Sequence, residues 1–400
     1  MRELLNTVTV LDFTQMLQGP WATQKLADMG ATVWKIEPPG TGEGARNVVL
    51  AGSTIADENP SFYPLNRNKE SVTVDITSEE GQEICLDLAQ KADVVVHNFR
   101  PGVVERCGLT YEDFTDIDPE IIYCGVSGYG SEGPYADADR PGQDLLVQAL
   151  SGFTSITGRR DDPPTAAGTP IIDLYSGVLT AFAIALALFH RERTGEGQRV
   201  ETSLLDAALD LQVQELNVAM NLDTDIERSE EGISNVLTPA PYGIYESADG
   251  HVAIGSFGWS GEGLGGLADV LDVPTLAEYN IDDLWSERDN IKRAIETGTQ
   301  ARPTDDLIET LRDTGLWCAP VRDYDEVLAD SQLEVNDMLE TFDHPEAGEV
   351  RTLGVPVRFS ETPGGIEGPS PTLGQHTEAV LKQVGYSQDE IDDLQVADII

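Results

Sequence analysis

Three short segments of this chain carry side chains whose types and spacing could do chemistry. In GTPIIDLYSGVLTAFAIALALFHRERTGEGQ, Asp173 follows a short extended run and opens a strongly apolar helix pattern. Aspartate is among the best helix N-caps, which is the structural reading of that position. The same geometry favours an ionised carboxylate, and an ionised carboxylate can be a covalent nucleophile. The small neighbours Ser176 and Gly177 would let a substrate approach closely. The second segment, DVVVHNFRPG, ends a strand pattern with Asn98, Phe99, Arg100, Pro101 and Gly102. Ligands of open α/β sheets bind outside the carboxyl ends of the strands. An amide, an aromatic face and a guanidinium there would suit a nucleotide-bearing ligand; an ordinary strand-to-helix turn is the alternative. The third, LNRNKES, sets Asn66, Arg67 and Lys69 ahead of a strand beginning at Ser71. Such cations can hold phosphate through charge-assisted hydrogen bonds, or simply decorate the surface.

Two other motifs carry less. Gly261, Gly263 and Gly266 satisfy GxGxxG after a strand, but no acidic residue follows at the distance a dinucleotide fold needs, so a flexible loop is expected. GVSGYG (125–130) resembles a serine nucleophile elbow but has Tyr129 where the second glycine belongs, and reads as a tight strand-end turn.

The elements that must position these residues alternate in the first half of the chain. Strand patterns fall at Thr7–Phe13, Ala31–Ile36, Ser71–Asp75, Asp93–His97 and Ile121–Val126, with helices at Trp21–Met29 and Glu79–Lys91. Thr77 and Glu80 would form a capping box at the start of the latter. Continuous apolar runs such as DVVVHN and IIYCGV suit a parallel sheet covered on both faces. The fold class expected is therefore α/β: a doubly wound, mostly parallel, Rossmann-like sheet in residues 1–205. A helical stretch, Leu204–Met220, leads into the acidic loop DTDIERSEEG, which reads as a linker. A smaller α+β domain at 225–330 opens with the hairpin GIYES-ADG-HVAIGS. Short strands follow Pro345, and a segment over 345–400, ending in a helix at Thr377–Val384, is expected to return to the large domain.

Composition narrows the function. Asp plus Glu total 71 against 25 Lys plus Arg, a formal charge of −46 over 400 residues, and only six of the cations are Lys. The acids are interleaved with core pattern along the whole length, so they are no disordered tail. A cytoplasmic protein working in molar salt fits, because the Debye length there falls to ~3 Å and self-repulsion is screened. Nucleic acid is excluded as a partner for want of a basic footprint. The longest apolar stretch, Gly177–Phe189, has 13 residues, short of the roughly 20 that span a membrane, and reads as a buried core helix. No signal peptide is visible at the N-terminus. Four cysteines without CxxC spacing and five scattered histidines form no metal-ligand set and no expected disulfide.

Taken together, the segments resemble the family III CoA transferases, the group that includes formyl-CoA and carnitine CoA transferases and the related α-methylacyl-CoA racemases. The matching stretches are VLDFTQMLQGPWATQKLADMGATVWKIEPPGTGEGAR, NRNKESVTVDI, ADVVVHNFRPGVVERCGL, IIYCGVSGYGSEGPY, QDLLVQALSG and the Asp173 segment through RTGEGQRVETSLLDAAL, with APYGIYESADGHVAIG beyond them. The resemblance implies a CoA transferase in which Asp173 attacks a donor thioester, passing through a mixed anhydride and an aspartyl-CoA thioester. It implies CoA contacts at Lys69, Asn98, Phe99 and Arg106, with Gln15 and Met16 of the first βα turn beside them, and a homodimer of two interlocked ring-like chains. Coenzyme A enters as acyl-CoA substrate, and no permanently bound cofactor is implied. Where the racemases carry His–Asp, this chain has Gln143–Asp144; Gln cannot exchange a proton at carbon, which argues against racemisation. Where formyl-CoA transferase has a run of glycines, this chain reads SNVLTPAP, which disfavours formate and oxalate. The substrates expected are C4–C5 dicarboxylates, such as succinyl-CoA with mesaconate. Gln143 and Asp144 are candidate substrate residues, and Arg46 is the candidate cation for a second carboxylate. The competing functions are an acyl-CoA racemase and a non-catalytic CoA-binding protein in which Asp173 is only a cap.

Overall fold

The computed structural model describes residues 4–255, 264–313 and 315–400. The Gly261 and Gly263 positions, and most of the glycine-rich 255–266 loop, lie outside the described residues.

Six strands form one wholly parallel sheet: β1 (Thr9–Asp12), β2 (Thr32–Glu37), β3 (Lys69–Thr73), β4 (Val94–His97), β5 (Ile122–Ser127) and β6 (Gln198–Ser203). Their spatial order is β3-β2-β1-β4-β5-β6, the doubly wound order in which the winding reverses between β1 and β4. The first five strands overlap the expected ranges, with β3 beginning at Lys69 rather than Ser71; covered on both faces, they carry apolar runs, among which Asp12, Lys35, Glu37 and Lys69 are buried as well. The sixth is new. Gln198–Ser203 alternates exposed and half-buried residues at the sheet edge, and a charged, polar strand is how an edge avoids unwanted pairing.

One face packs Leu11, Trp34, Ile84, Leu88 and Phe114. The other packs Val10, Val33, Val94, Ile122, Ile184 and Leu188. The Glu79–Ala89 helix is capped by Ser78, whose hydroxyl accepts from Gly81 N at 3.0 Å, and not by Thr77. The Thr77 hydroxyl instead donates to the nearer Asp75 carboxylate. At the C-terminus the Thr377–Gln383 helix lies against β3, where Thr73 N donates to Thr377 Oγ1 at 2.9 Å.

The helix Ile171–Thr194 is long and apolar enough to cross a membrane by length and composition. It packs along the Gln18–Asp28 helix and against β5 and β6. It is not the fully buried core helix expected from sequence: Val178, Phe182, Leu186 and Phe189 stand exposed along one side, because the sheet and its neighbour cover only part of its circumference.

The chain divides into two compact units. The first comprises Met1–Val147, Pro170–Ala208 and Ser331–Ile400; the second comprises Gln148–Thr169 and Leu209–Asp330. The second unit holds an antiparallel sheet in the order β7 (Gly243–Glu246), β8 (His251–Gly255), β9 (Trp317–Pro320). The hairpin read from sequence is its first half; β9 closes it. The Arg288–Thr299 and Thr304–Asp313 helices bury Ile291, Ile295, Leu307 and Leu311 with Tyr245, Val252 and Ile254 of this sheet.

Candidate active site

Within the first unit, the turns after β1, β4 and β5 and the start of the Ile171–Thr194 helix surround a cavity of about 1010 Å³. It sits outside the carboxyl ends of β1 and β4, the switch point where doubly wound sheets bind ligands. Its volume is at the upper end for ligand pockets.

Asp173 is on its wall. The residue occupies the third position of the helix, and Pro170 stands at the cap without a side chain to offer. The capping that was the alternative role for Asp173 is done from elsewhere. One carboxylate oxygen of Asp144 accepts from Ile172 N at 2.8 Å and Asp173 N at 3.1 Å. The Asp173 side chain is thereby released from structural duty. Burial, and then the Asp144 charge, raise its carboxyl to about 7. Gly177 lets the Gln18–Asp28 helix approach, since a Cβ there would lie 2.7 Å from Gln18 O and 2.9 Å from the Trp21 ring. The Gln18 amide also donates to Ser176 Oγ.

The first βα turn is the opposite wall. Gln15 and Met16 line the cavity as expected, and Met16 adopts a left-handed φ of 70°, a conformation that costs a non-glycine residue free energy and must be held by its surroundings. Asn98 holds one side: its Oδ1 accepts from Gln15 N at 2.9 Å and its Nδ2 donates to Gln15 O at 2.7 Å. Glu43 holds the other, accepting from Met16 N at 2.7 Å. Asn98 is on the cavity wall, but its amide clamps backbone. Phe99 presents a ring to the cavity, stacked on His97 at 5.7 Å. Burial pushes His97 down to about 4, so it acts as a neutral aromatic support.

Behind this turn lies a buried charge network, and two predicted ligands belong to it. Lys69 Nζ is fully buried and donates to Asp12 Oδ2 (3.1 Å), Pro20 O (3.1 Å), Thr23 Oγ1 (2.8 Å) and Asn66 Oδ1 (2.9 Å). It is absent from the cavity wall, and its three donors are taken up among these four acceptors. Arg46 is likewise withdrawn. Its guanidinium forks onto Glu37 at 2.7 and 2.8 Å, pairs with Glu58 at 2.7 Å and lies over the Phe62 ring. It is buried and does not line the cavity. Arg67 is spent on Asp28 at 2.7 Å. Lys35 ties the network to the turn, pairing with Glu43 at 3.1 Å and donating to Thr14 O at 2.9 Å. Burial alone would raise the Asp12 carboxyl, yet Lys69 and Lys35 hold it below its ordinary range.

Arg106 ends a short exposed helix, Val103–Arg106, beside Gly102 and off the cavity wall. Gln143 lines the cavity, while the buried Asp144 faces the helix end instead. The wall also carries Arg100, Tyr129, Tyr135 and Arg140, of which only Arg100 was read from sequence. Arg100 lies 4.0 Å from Asp139 at an exposed site, and Arg140 stacks over the Tyr135 ring at 4.7 Å. The GVSGYG segment is the strand-end turn expected, with Ser127 Oγ accepting from Gly130 N at 2.8 Å.

The model of CoA-transferase family III matches residues 5–377. A succinyl-CoA:mesaconate CoA-transferase of Haloarcula hispanica is 34% identical over 391 residues, covering 95% of this chain and 96% of that protein. The human succinyl-CoA:glutarate CoA-transferase is 31% identical, over 95% and 86% of the two chains. Among solved structures, a CAIB/BAIF family protein from Brucella suis superposes with a TM-score of 0.81 at 29% identity, covering 96% of this chain and 100% of that one.

Proposed function

The chain belongs to CoA-transferase family III, and on that premise we propose that it moves coenzyme A between small dicarboxylic acids, with Asp173 as covalent nucleophile. The observation that carries this reading is an aspartate relieved of capping, at a helix N-terminus on the wall of a large switch-point cavity. An Asp173 oxygen attacks the donor thioester carbonyl and expels CoA thiolate, leaving a mixed anhydride. The thiolate attacks the Asp173 carbonyl of that anhydride, releasing the donor acid as carboxylate and forming an aspartyl-CoA thioester. The acceptor carboxylate then runs the two steps in reverse. No proton need be transferred, so the site requires no general base once Asp173 is ionised.

The dicarboxylate assignment is supported by the relatives' succinyl-CoA specificities and by the Arg100 and Arg140 guanidiniums on the cavity wall. Guanidiniums recognise carboxylate and phosphate alike, so one can serve CoA and the other the distal carboxylate. Arg140 takes over the role first given to Arg46. Among the described residues the cavity wall carries no histidine, which leaves racemisation without its usual base. The exposed row Val178, Phe182, Leu186 and Phe189 supports a homodimer, because soluble monomers rarely leave a continuous apolar patch uncovered. The charge of −46 supports a high-salt cytoplasm as working medium.

The test is incubation with succinyl-CoA and a panel of acids, read by mass spectrometry for CoA exchange and for a covalent CoA adduct on Asp173. Full exchange by Asp173→Asn would sink the covalent mechanism. Deuterium wash-in at the acyl α-carbon without CoA exchange would favour a racemase.

A further inference from the structure

We propose that Asp144 is the positioning residue of the nucleophile: its carboxylate closes the N-terminus of the Asp173 helix and fixes how Asp173 is presented to the substrate. The proposal rests on the reading of Asp173 as nucleophile. A helix leaves its first backbone N–H groups without intrahelical partners, and Pro170 supplies no side-chain acceptor here. Asp144, 28 and 29 residues back in sequence, accepts from two of them. It is 7% exposed and starts a helix of its own, Asp144–Leu150.

The loop that delivers it is fixed by a glycine pair. A Cβ on Gly142 would fall 2.5 Å from Gly128 Cα, and one on Gly128 would fall 2.6 Å from Gly142 Cα. The two backbones therefore touch, and Asp144, two residues on, has little freedom to swing. A contact between the β5 turn and this loop thus sets where the nucleophile's helix begins.

Charge adds a second effect to this geometry. Asp144 is the ionisable group whose charge acts on Asp173, after burial itself. The other facing groups are amides: Gln18 on the neighbouring helix, bonded to Ser176, and Gln143 on the loop. Arg100, Tyr129, Tyr135, Asp139 and Arg140 line the same cavity. An asparagine could cap the helix as well as an aspartate, so the cap alone does not account for the charge. A carboxylate that titrates near working pH is more basic than an ordinary one yet still largely ionised, the compromise that reactive groups favour. Asp144 supplies that compromise while holding the backbone.

The experiment is single-turnover formation of the CoA adduct on Asp173, with succinyl-CoA as probe, followed by mass spectrometry between pH 5 and 9. In the wild-type chain the rate should rise with a midpoint near 7. Asp144→Asn keeps an acceptor oxygen and removes the charge. Its midpoint should fall by about one unit, with a plateau within several-fold of wild type. Asp144→Ala removes the cap as well, and its plateau should fall on the order of 100-fold, as misplacement of a reacting group by about 1 Å does. A purely structural Asp144 would lower the melting temperature in Asp144→Ala and leave the Asp144→Asn midpoint at the wild-type value; that outcome overturns the proposal. Adduct formation in wild type with unchanged behaviour in Asp144→Asn refutes the role of Asp144 alone. A wild-type chain that exchanges CoA without any adduct on Asp173 removes the nucleophile and this role with it. Should Asp144→Ala not fold, the Asp144→Asn midpoint still decides.

Discussion

Replacing Asp173 by asparagine should abolish CoA exchange and, at the same time, make the protein more stable above neutral pH. In the unfolded chain the carboxyl titrates at its ordinary value; in the fold, burial and Asp144 raise it from 3.8 to about 7. Between those values the folded state holds the proton more tightly, so wild-type stability declines as pH rises through the window and stays lower above it. A shift of that size corresponds to ~4 kcal/mol. Asparagine is nearly isosteric and has no charge to bury. Asp173→Asn should therefore melt about 5 °C above wild type at pH 8, and the gap should shrink by more than half at pH 5. Paired thermal scans at the two pH values, in one salt concentration, measure it. A gap that is absent, or equal at both pH values, would refute the argument that a destabilised charge sits at this site.

Lys69→Met should destabilise the fold by roughly 3–5 kcal/mol, because it leaves the buried Asp12 carboxylate without its cation; denaturant titration reads this. If the variant instead kept wild-type stability and raised only the KM for acyl-CoA, Lys69 would be a phosphate ligand after all. Gly142→Ala must push a methyl into the Gly128 backbone, so kcat should drop at least ten-fold with the KM for acyl-CoA little changed, by steady-state kinetics. Arg140→Gln should raise the KM for a dicarboxylic acceptor about ten-fold, as loss of a charge-assisted contact does, and spare a monocarboxylic one; equal effects on both would place Arg140 on CoA. With −46 charges to screen, the unfolding midpoint should climb steeply between 0.1 and 2 M KCl, and a flat profile would speak against a high-salt protein.

Much of the large sheet was legible because strands buried on both faces leave an unmistakable apolar run, as in DVVVHN and IIYCGV. The edge strand Gln198–Ser203 was not, because a strand that faces solvent is written in the same polar letters as a loop. The identity of Asp173 came from resemblance, and its local sequence favoured a cap. What sequence could not supply was that a different carboxylate, Asp144, had taken the cap. That Lys69 and Arg46 are turned away from the cavity was hidden for a related reason. Sequence shows a charge but not its burial, and their partners Asp12 and Glu37 lie 57 and 9 residues away on strand ends that only the folded sheet brings together. Arg140 was overlooked because nothing local distinguishes a cavity guanidinium from a surface one.

The buried cations explain how such an acidic chain keeps a precise site. Only six lysines are present, and two of them, Lys35 and Lys69, are buried behind the Gln15–Met16 turn, each paired with a carboxylate. Taking such charges out of water is costly, and buried pairs seldom add net stability, so stability alone does not account for them. Their geometry does. Lys69 fixes Asp12, whose Oδ1 accepts from Thr14 N at 2.9 Å; Lys35 holds Thr14 O and Glu43; Glu43 holds Met16 N in its left-handed turn. Surface ion pairs would be screened within ~3 Å in molar salt, but pairs sealed from solvent are not. A turn held by buried charges therefore keeps its shape over the range of salt concentrations in which the acidic surface changes its own repulsion most. The same reasoning applies to Asp144 and Asp173, whose interaction is also sheltered: salt should alter how stably this chain folds far more than the pH at which its nucleophile ionises.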